Sequence, residues 1–364
     1  MNLSSGCNFT TNLTAANNIS CGTTSHGVGP DPFAEFKIYA FGSAIYMIII
    51  SFITIVANGL LLVVFLVDPL KMLRNPTSYF LIGLAISDLL TAMICLPLNS
   101  SCFIMLYLQG PGNGLILCRD VLLEVAFTQA AITMTISFLV VFALTVTQFV
   151  VVSSPLKLAR TVTSRSVITC VLALYTYSVL FWVSQYWGIS LDVLLKVDVF
   201  LHALSVPYIT ILFYILLYVT FRRKMDVSKI LSNNSSLRSR ESSQNRLQRQ
   251  FITVNCILIA VLLLCSQPTL WFWLAAEFWL PKPLTPKLLI VNLFIDNILY
   301  LKSMLDPFVY AWRLPKYREA LMKICPVLKK CQRKPSYERR IEESVFSQSR
   351  ETVITLEMRK IESK

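Results

Sequence analysis

The sequence contains the stretch Asp306-Pro307-Phe308-Val309-Tyr310 near the end of its last apolar run. A proline inside a helix removes a backbone hydrogen bond, and a carboxylate in hydrocarbon is costly unless it is paired. The two features together, within an otherwise apolar segment, indicate a functional position in a membrane-spanning helix. We therefore interpret the rest of the chain outward from this junction.

Six more apolar runs precede the junction. The charge-free runs cover residues 38–67, 125–156, 166–191, 199–221 and 250–276, and Asp88 is the only charged residue between Arg74 and Arg119. The seventh run, residues 288–312, contains three charges: Asp296, Lys302 and Asp306. A spanning helix needs about 20 apolar residues, and each run exceeds that length. The sequence therefore predicts an all-α membrane protein, a seven-transmembrane helix bundle followed by a short amphipathic eighth helix.

The predicted organisation has four parts. An extracellular glycosylated segment (residues 1–37) precedes the transmembrane domain (38–312), an amphipathic helix (313–325) and a disordered cytoplasmic tail (326–364). The loop over 224–247 is rich in Ser, Asn and Arg, and it is also expected to be disordered.

Basic residues are distributed unevenly between the two sides of the predicted bundle. One side, which includes the C-terminus, carries 27 of the 33 Lys and Arg, and the other carries five. The positive-inside rule then predicts a multi-pass plasma-membrane protein with its N-terminus outside. The net charge of +13 reflects this topology and attraction to anionic membrane lipids, so it does not indicate nucleic-acid binding.

Sequons and cysteines add predicted modification sites. The N-terminal segment has glycosylation sequons at Asn8, Asn12 and Asn18. The candidate cysteines for disulfides on the outer side are Cys7, Cys21, Cys102 and Cys118, and the candidates for lipidation are Cys325 and Cys331. Four cysteines allow three full connectivities. We favour the pair Cys102–Cys118 because both flank one outer loop.

Several motifs resemble those of rhodopsin-like (class A) G-protein-coupled receptors. The most specific is the second run, residues 75–90, which contains Asn75-Pro76 and Asp88. The resemblance covers residues 38–325, and the Asp-Pro variant is most similar to the melanocortin, cannabinoid and adenosine branch. The resemblance implies a receptor that transduces the binding of an extracellular ligand to heterotrimeric G proteins. Arrestin and receptor kinases would be further partners. The implied activation switches are Asn58, Thr147, Gln148, Phe149, Pro207, Ser266, Pro268, Pro307 and Tyr310.

The third-helix triplet departs from the family pattern. The family has Asp-Arg-Tyr where this chain has Thr147-Gln148-Phe149, so an ionic lock cannot form there. Ser266 likewise replaces the family's sixth-helix tryptophan. These departures leave a second hypothesis open: an atypical, decoy or arrestin-biased receptor or scaffold with weak G-protein coupling. A transporter is a distant third hypothesis, because no internal repeat is visible.

Lys302 is the most unusual residue of the predicted polar core. The resemblance implies that Asp88, Ser137 and Asp306 would surround a sodium ion, and here Lys302 replaces an asparagine of that site, next to Ser303. We predict that the Lys302 ammonium pairs with Asp88 and Asp306 and substitutes for the ion. The alternative is that Lys302 faces a wet cavity.

The ligand site is predicted in the outer half of the bundle. Its candidate residues are Glu124, Ala130, Trp271, Asp296 and Tyr300. By the resemblance, Ala130 replaces the aspartate of amine receptors, and Tyr300 replaces the lysine that binds retinal in opsins. A short outer loop without cysteine, residues 187–197, would leave the cavity open to a lipid or a peptide. Two histidines and no nucleophile–base pattern argue against an enzyme, and we expect no cofactor and no metal site.

Overall fold

A computed structural model describes residues 34–68, 76–109, 122–153, 162–231, 235–280, 284–313 and 315–324. Within these ranges every regular element is helical, and seven helices are long and apolar enough to cross a membrane. The predicted seven-helix fold is therefore confirmed.

The first, third and fourth spans are the helices Ala34–Val67, Leu123–Ser153 and Ser164–Val183, the last followed by a 3₁₀ turn, Ser184–Trp187. The second span is Pro76–Leu90 and Leu96–Gln109, joined by the π-helical turn Thr91–Cys95. The fifth span comprises Leu191–Val197, the π-helical segment Asp198–Ser205 and Val206–Leu231. The sixth and seventh spans are Ser235–Phe278 and Pro286–Arg313, and a terminal helix, Pro315–Ile324, follows.

Pro97 leaves one backbone carbonyl of the second span without a partner in its π-helical turn. Pro97 follows that turn and has no N–H to donate, so one carbonyl of the preceding turn loses its partner. In a π-helix each N–H bonds to the carbonyl five residues earlier, so the carbonyl that Pro97 leaves without a partner is that of Ala92. The Ser51 hydroxyl of the first span donates to the Ala92 carbonyl at 2.7 Å. The first span therefore satisfies a backbone group that the bilayer could not.

The loop predicted over 224–247 is largely helical, and our prediction of disorder there was wrong. The fifth span continues to Leu231, and the sixth begins at Ser235. Arg, Lys, Gln and Glu are good helix formers, so polar residues extend a helix that the apolar spans have already nucleated. Polar composition alone did not reveal this.

The third span lies centrally, in contact with the second, fourth, fifth and sixth. The first span packs against the second and the seventh. Large apolar side chains that point outward, such as Phe52 and Leu264, are exposed, as expected where the solvent is hydrocarbon. The chain divides into two units, residues 1–318 with the spans and residues 319–364, of which the structure describes the helical residues 319–324.

Candidate functional site

A buried ammonium joins three spans near the middle of the bundle. The Lys302 Nζ lies 3.0 Å from Asp88 Oδ1 of the second span and 3.0 Å from Asp306 Oδ2 of its own helix. It also donates to the Ser137 Oγ of the third span at 3.1 Å. Lys302 is only 2% exposed. The structure thus brings together Lys302, Asp88, Asp306 and Ser137, as the sequence analysis expected.

Helical geometry and a hydroxyl network position these groups. Lys302 and Asp306 are four residues apart, so they share one face of the seventh span. The Ser137 and Ser87 hydroxyls both donate to the Thr133 carbonyl, each at 3.0 Å. The Ser137 bond lies within the third span, and the Ser87 bond holds the third span against the second at the level of the ammonium.

The first span contacts the same region through Asn58. Its Nδ2 donates to the Ser303 carbonyl at 3.0 Å and to the Thr54 carbonyl at 3.2 Å. Ser303 therefore contributes its backbone to this interhelical bond. Two buried atoms, Asn58 Oδ1 and Asp88 Oδ2, have no hydrogen-bond partner within the described part of the chain. Ion pairing and these bonds together join four of the seven spans around Lys302.

The third-span triplet Thr147-Gln148-Phe149 has no ion pair in the described residues. Gln148 is buried and its Oε1 has no hydrogen-bond partner there, while Thr147 is half-buried. Phe149 packs edge-to-face on Phe213 of the fifth span, with ring centroids 5.9 Å apart.

A neutral pair links the third span to the sixth near this triplet. Asn255 Nδ2 donates to Thr145 Oγ1 at 3.0 Å, and both residues are fully buried. The Thr145 hydroxyl is also 2.8 Å from the Val141 carbonyl of its own helix. This contact was not predicted, because neither residue belongs to a motif that the sequence analysis used.

The prolines occupy the expected spans. Pro207 is buried two residues after the end of the π-helical segment, and Pro268 and Pro307 lie inside the sixth and seventh helices. Ser266 is buried, and its hydroxyl has no partner among the described groups. Tyr310 lies in the helical end of the seventh span, but its side chain lies outside the described part of the structure.

Comparison with known proteins identifies the fold and the family. The family model for the 7 transmembrane receptor (rhodopsin family) matches residues 57–310. The chain belongs to the rhodopsin family. A "Rhodopsin, GQ-coupled" from Mizuhopecten yessoensis is 25% identical over 332 residues, 82% of this receptor and 62% of that protein. The receptor therefore covers less than two thirds of that relative's length.

Two further similarities agree with this membership. A Dopamine D2-like receptor from Drosophila melanogaster is 29% identical over 132 residues, 36% of this receptor and 14% of that protein. The crystal structure of squid rhodopsin shares the fold, with a TM-score of 0.69 at 18% identity, covering 87% of this receptor and 95% of that chain. The chain is thus a multi-pass membrane receptor and not an enzyme. The comparisons do not show closeness to the melanocortin, cannabinoid and adenosine branch.

Toward the end of the bundle where the seventh span begins, Asp296 and Tyr300 lie on one face of that span. The Tyr300 hydroxyl accepts from Asn99 Nδ2 at 3.0 Å and lies 3.5 Å from the Cys95 Sγ of the second span. Asp296 Oδ2 accepts from Asn292 Nδ2 at 2.9 Å. Ala130 of the third span is half-buried.

Two of the predicted ligand residues point elsewhere. Trp271 is 52% exposed and shares an outward face with Leu264 and Phe278, which are seven residues before and after it. It therefore faces lipid and does not line the interior. Glu124 is exposed, and its carboxylate accepts a hydrogen bond from the Tyr186 hydroxyl at 3.4 Å. Because Glu124 is not buried, its charge does not need a ligand to neutralise it.

A second intramembrane network was missed by the sequence analysis. Asp198 Oδ1 accepts from Thr135 Oγ1 at 3.0 Å and lies 2.8 Å from His202 Nδ1. The other imidazole nitrogen lies 2.9 Å from the Tyr177 hydroxyl, and Trp182 Nε1 donates to Thr135 Oγ1 at 3.1 Å. The third, fourth and fifth spans meet here. An acid four residues before a histidine in an apolar run is a signal that could have found the pair.

The remaining predicted residues lie mostly outside the described ranges. Cys102 is disulfide-bonded, whereas the other described cysteines, Cys95, Cys170, Cys256 and Cys265, are free. The predicted positions outside the described residues are Asn8, Asn12, Asn18, Cys7, Cys21, Cys118, Cys325 and Cys331. The favoured Cys102–Cys118 pairing stays a prediction.

Proposed function

We propose that this receptor transduces the binding of an extracellular ligand to heterotrimeric G proteins at the plasma membrane, with its N-terminus outside. The observation that carries the proposal is the buried Lys302 ammonium, bonded to the second, third and seventh spans. A charge shared by three helices favours one mutual arrangement of them, and a ligand that favours another must rearrange these bonds. Such a two-state element is what transduction requires.

The partners of this signalling role follow from the same proposal. Arrestin and receptor kinases would act at the cytoplasmic face, and anionic membrane lipids would contact its basic residues.

A retinal-binding role has little support. By the family resemblance Tyr300 stands where the Schiff-base lysine would be, and the Lys302 ammonium is engaged by two carboxylates.

A second candidate function is an atypical or arrestin-biased receptor. It is favoured by Gln148, which is neutral and buried where the family has an arginine that meets the G protein. A neutral amide cannot replace the charge-assisted hydrogen bonds of a guanidinium. On this hypothesis the receptor would bind its ligand and recruit arrestin with little nucleotide exchange.

Nucleotide exchange in cells separates the two functions. The parent, Gln148→Arg and the uncharged, similarly sized Gln148→Met are compared at equal surface expression. Exchange by the parent above that of receptor-free cells supports the first function. Exchange by Gln148→Arg only, with arrestin recruitment by the parent, supports the second. If neither variant nor parent promotes exchange or recruits arrestin, with or without an applied panel of small-molecule, lipid and peptide ligands, both functions are refuted.

A further inference from the structure

Four acids lie well inside the spanning helices, and they differ in their partners. Asp88 and Asp306 share the Lys302 ammonium at 3.0 Å each. Asp198 has the His202 imidazole at 2.8 Å and the Thr135 hydroxyl at 3.0 Å. Among the described residues, no lysine, arginine or histidine pairs with the fourth acid, Asp296. A carboxylate at such depth requires a partner.

The contacts of Asp296 are neutral and come from its own helix. Its Oδ2 accepts from the Asn292 amide at 2.9 Å, one helical turn nearer the outer end. Asp296 is ten residues below Pro286, where the helix begins, which corresponds to about 15 Å. The carboxylate therefore lies in the outer half of the bundle.

The direction of Asp296 follows from its neighbours on the helix. Tyr300 is four residues on, and its hydroxyl bonds to Asn99 of the second span. Asn297, the next residue, turns instead toward the first span, where it accepts from Ser43 at 2.8 Å. Asp296 thus faces inward with Tyr300, yet it is only half-buried. An inward-facing side chain that keeps accessible surface borders open space in the bundle.

We propose that the ligand of this receptor is an organic cation whose ammonium or guanidinium group pairs with Asp296. The inference rests on the proposed receptor function and names the chemistry of its ligand. The Tyr300 hydroxyl, one turn deeper, accepts from Asn99, so its oxygen is held in place and its own hydrogen can be donated to a polar group of the ligand. The cation thus comes from the ligand here, whereas Lys302 supplies it for Asp88 and Asp306.

Charge-selective labelling at a cysteine placed one turn above Asp296 tests the proposal. Asn292→Cys receptors on intact cells are treated with aminoethyl methanethiosulfonate, a cation, or with its neutral hydroxyethyl analogue. The ratio of the two labelling rates reports the local preference for cations and cancels differences in thiol reactivity. Receptors without the engineered cysteine give the background.

The ratio should fall about fivefold when Asp296→Asn is added, since one charge about 6 Å away is removed. Asp296→Glu, which keeps the charge, is the matched control and should preserve the ratio. n-Butylammonium should slow labelling only when an acid is present at position 296, and n-butanol should not slow it in any receptor.

Two results would overturn the inference: a labelling ratio that is unchanged by Asp296→Asn, or a cysteine at 292 that neither reagent reaches from outside. Surface receptors are isolated after labelling, so misfolded protein retained inside the cell does not contribute. The labelling readout needs no G protein. A receptor that labels as expected but never promotes nucleotide exchange would therefore support the cation site and refute G-protein coupling.

Discussion

Replacing Lys302 by methionine removes the one cation from a buried pair of carboxylates. Methionine has a similar length and no charge, so the change isolates the ammonium from the packing of its stem. In the parent, Nζ is 3.0 Å from an oxygen of Asp88, 3.0 Å from one of Asp306 and 3.1 Å from the Ser137 hydroxyl. All four side chains are buried, so water cannot take the place of the ammonium.

The expected cost follows from these contacts. Each ion pair, with charges about 4 Å apart at an effective dielectric constant near 20, is worth roughly 4 kcal/mol before desolvation is subtracted. Removal of one partner from a buried pair typically destabilises a protein by about 3–5 kcal/mol. At about 2 °C per kcal/mol for a domain of this size, the melting temperature should fall by roughly 6–10 °C.

Thermal unfolding of purified receptor, monitored by reaction of the buried free cysteines, measures the shift. A matched control also neutralises the acids, as Lys302→Met with Asp88→Asn and Asp306→Asn. That triple variant should recover most of the loss, because no uncompensated charge remains. Surface expression of Lys302→Met should fall in parallel.

The same ion pairs also predict how the receptor responds to sodium. The parent should melt at the same temperature in sodium and in potassium chloride, because a tethered ammonium fills the site. Lys302→Asn leaves both carboxylates free to bind an ion, so sodium should raise its melting temperature. If Lys302→Met melts within 2 °C or so of the parent and signals normally, the pairing is not structurally important and the account is refuted.

Three further predictions concern other parts of the chain. Thr145→Val should destabilise the receptor by about 1–3 kcal/mol because it leaves the Asn255 amide buried and unpaired. Adding Asn255→Leu should recover most of this loss. Simple additivity of the two changes in a double-mutant cycle would contradict the pairing. Peptide mapping under non-reducing conditions should find Cys102 joined to Cys118, and two free thiols would reject that bridge. An N-terminal tag should be labelled on intact, unpermeabilised cells and shift in mass on deglycosylation; labelling only after permeabilisation would reverse the topology.

The polar core could be anticipated because its residues lie in recognisable motifs. Asp88 and Asp306 fall at fixed places in the second and seventh runs, and Lys302 is one helical turn from Asp306, so the sequence already suggested their proximity. The outer half was harder to predict. Trp271 and Asp296 both lie in apolar runs, and only the rotation of each helix about its axis decides that the first faces lipid and the second the interior.

The sequence by itself determined the seven spans and the family, and it predicted the orientation in the membrane. Apolar length and the distribution of basic residues are local properties, and the bilayer requires that each span satisfy its own backbone. Tertiary structure decided which polar side chains meet. The Asp198–His202–Tyr177 contacts and the Thr145–Asn255 pair join helices that are distant in sequence, with Thr145 and Asn255 separated by 110 residues. Such pairings depend on how helices rotate and cross, and that is fixed only when they pack together.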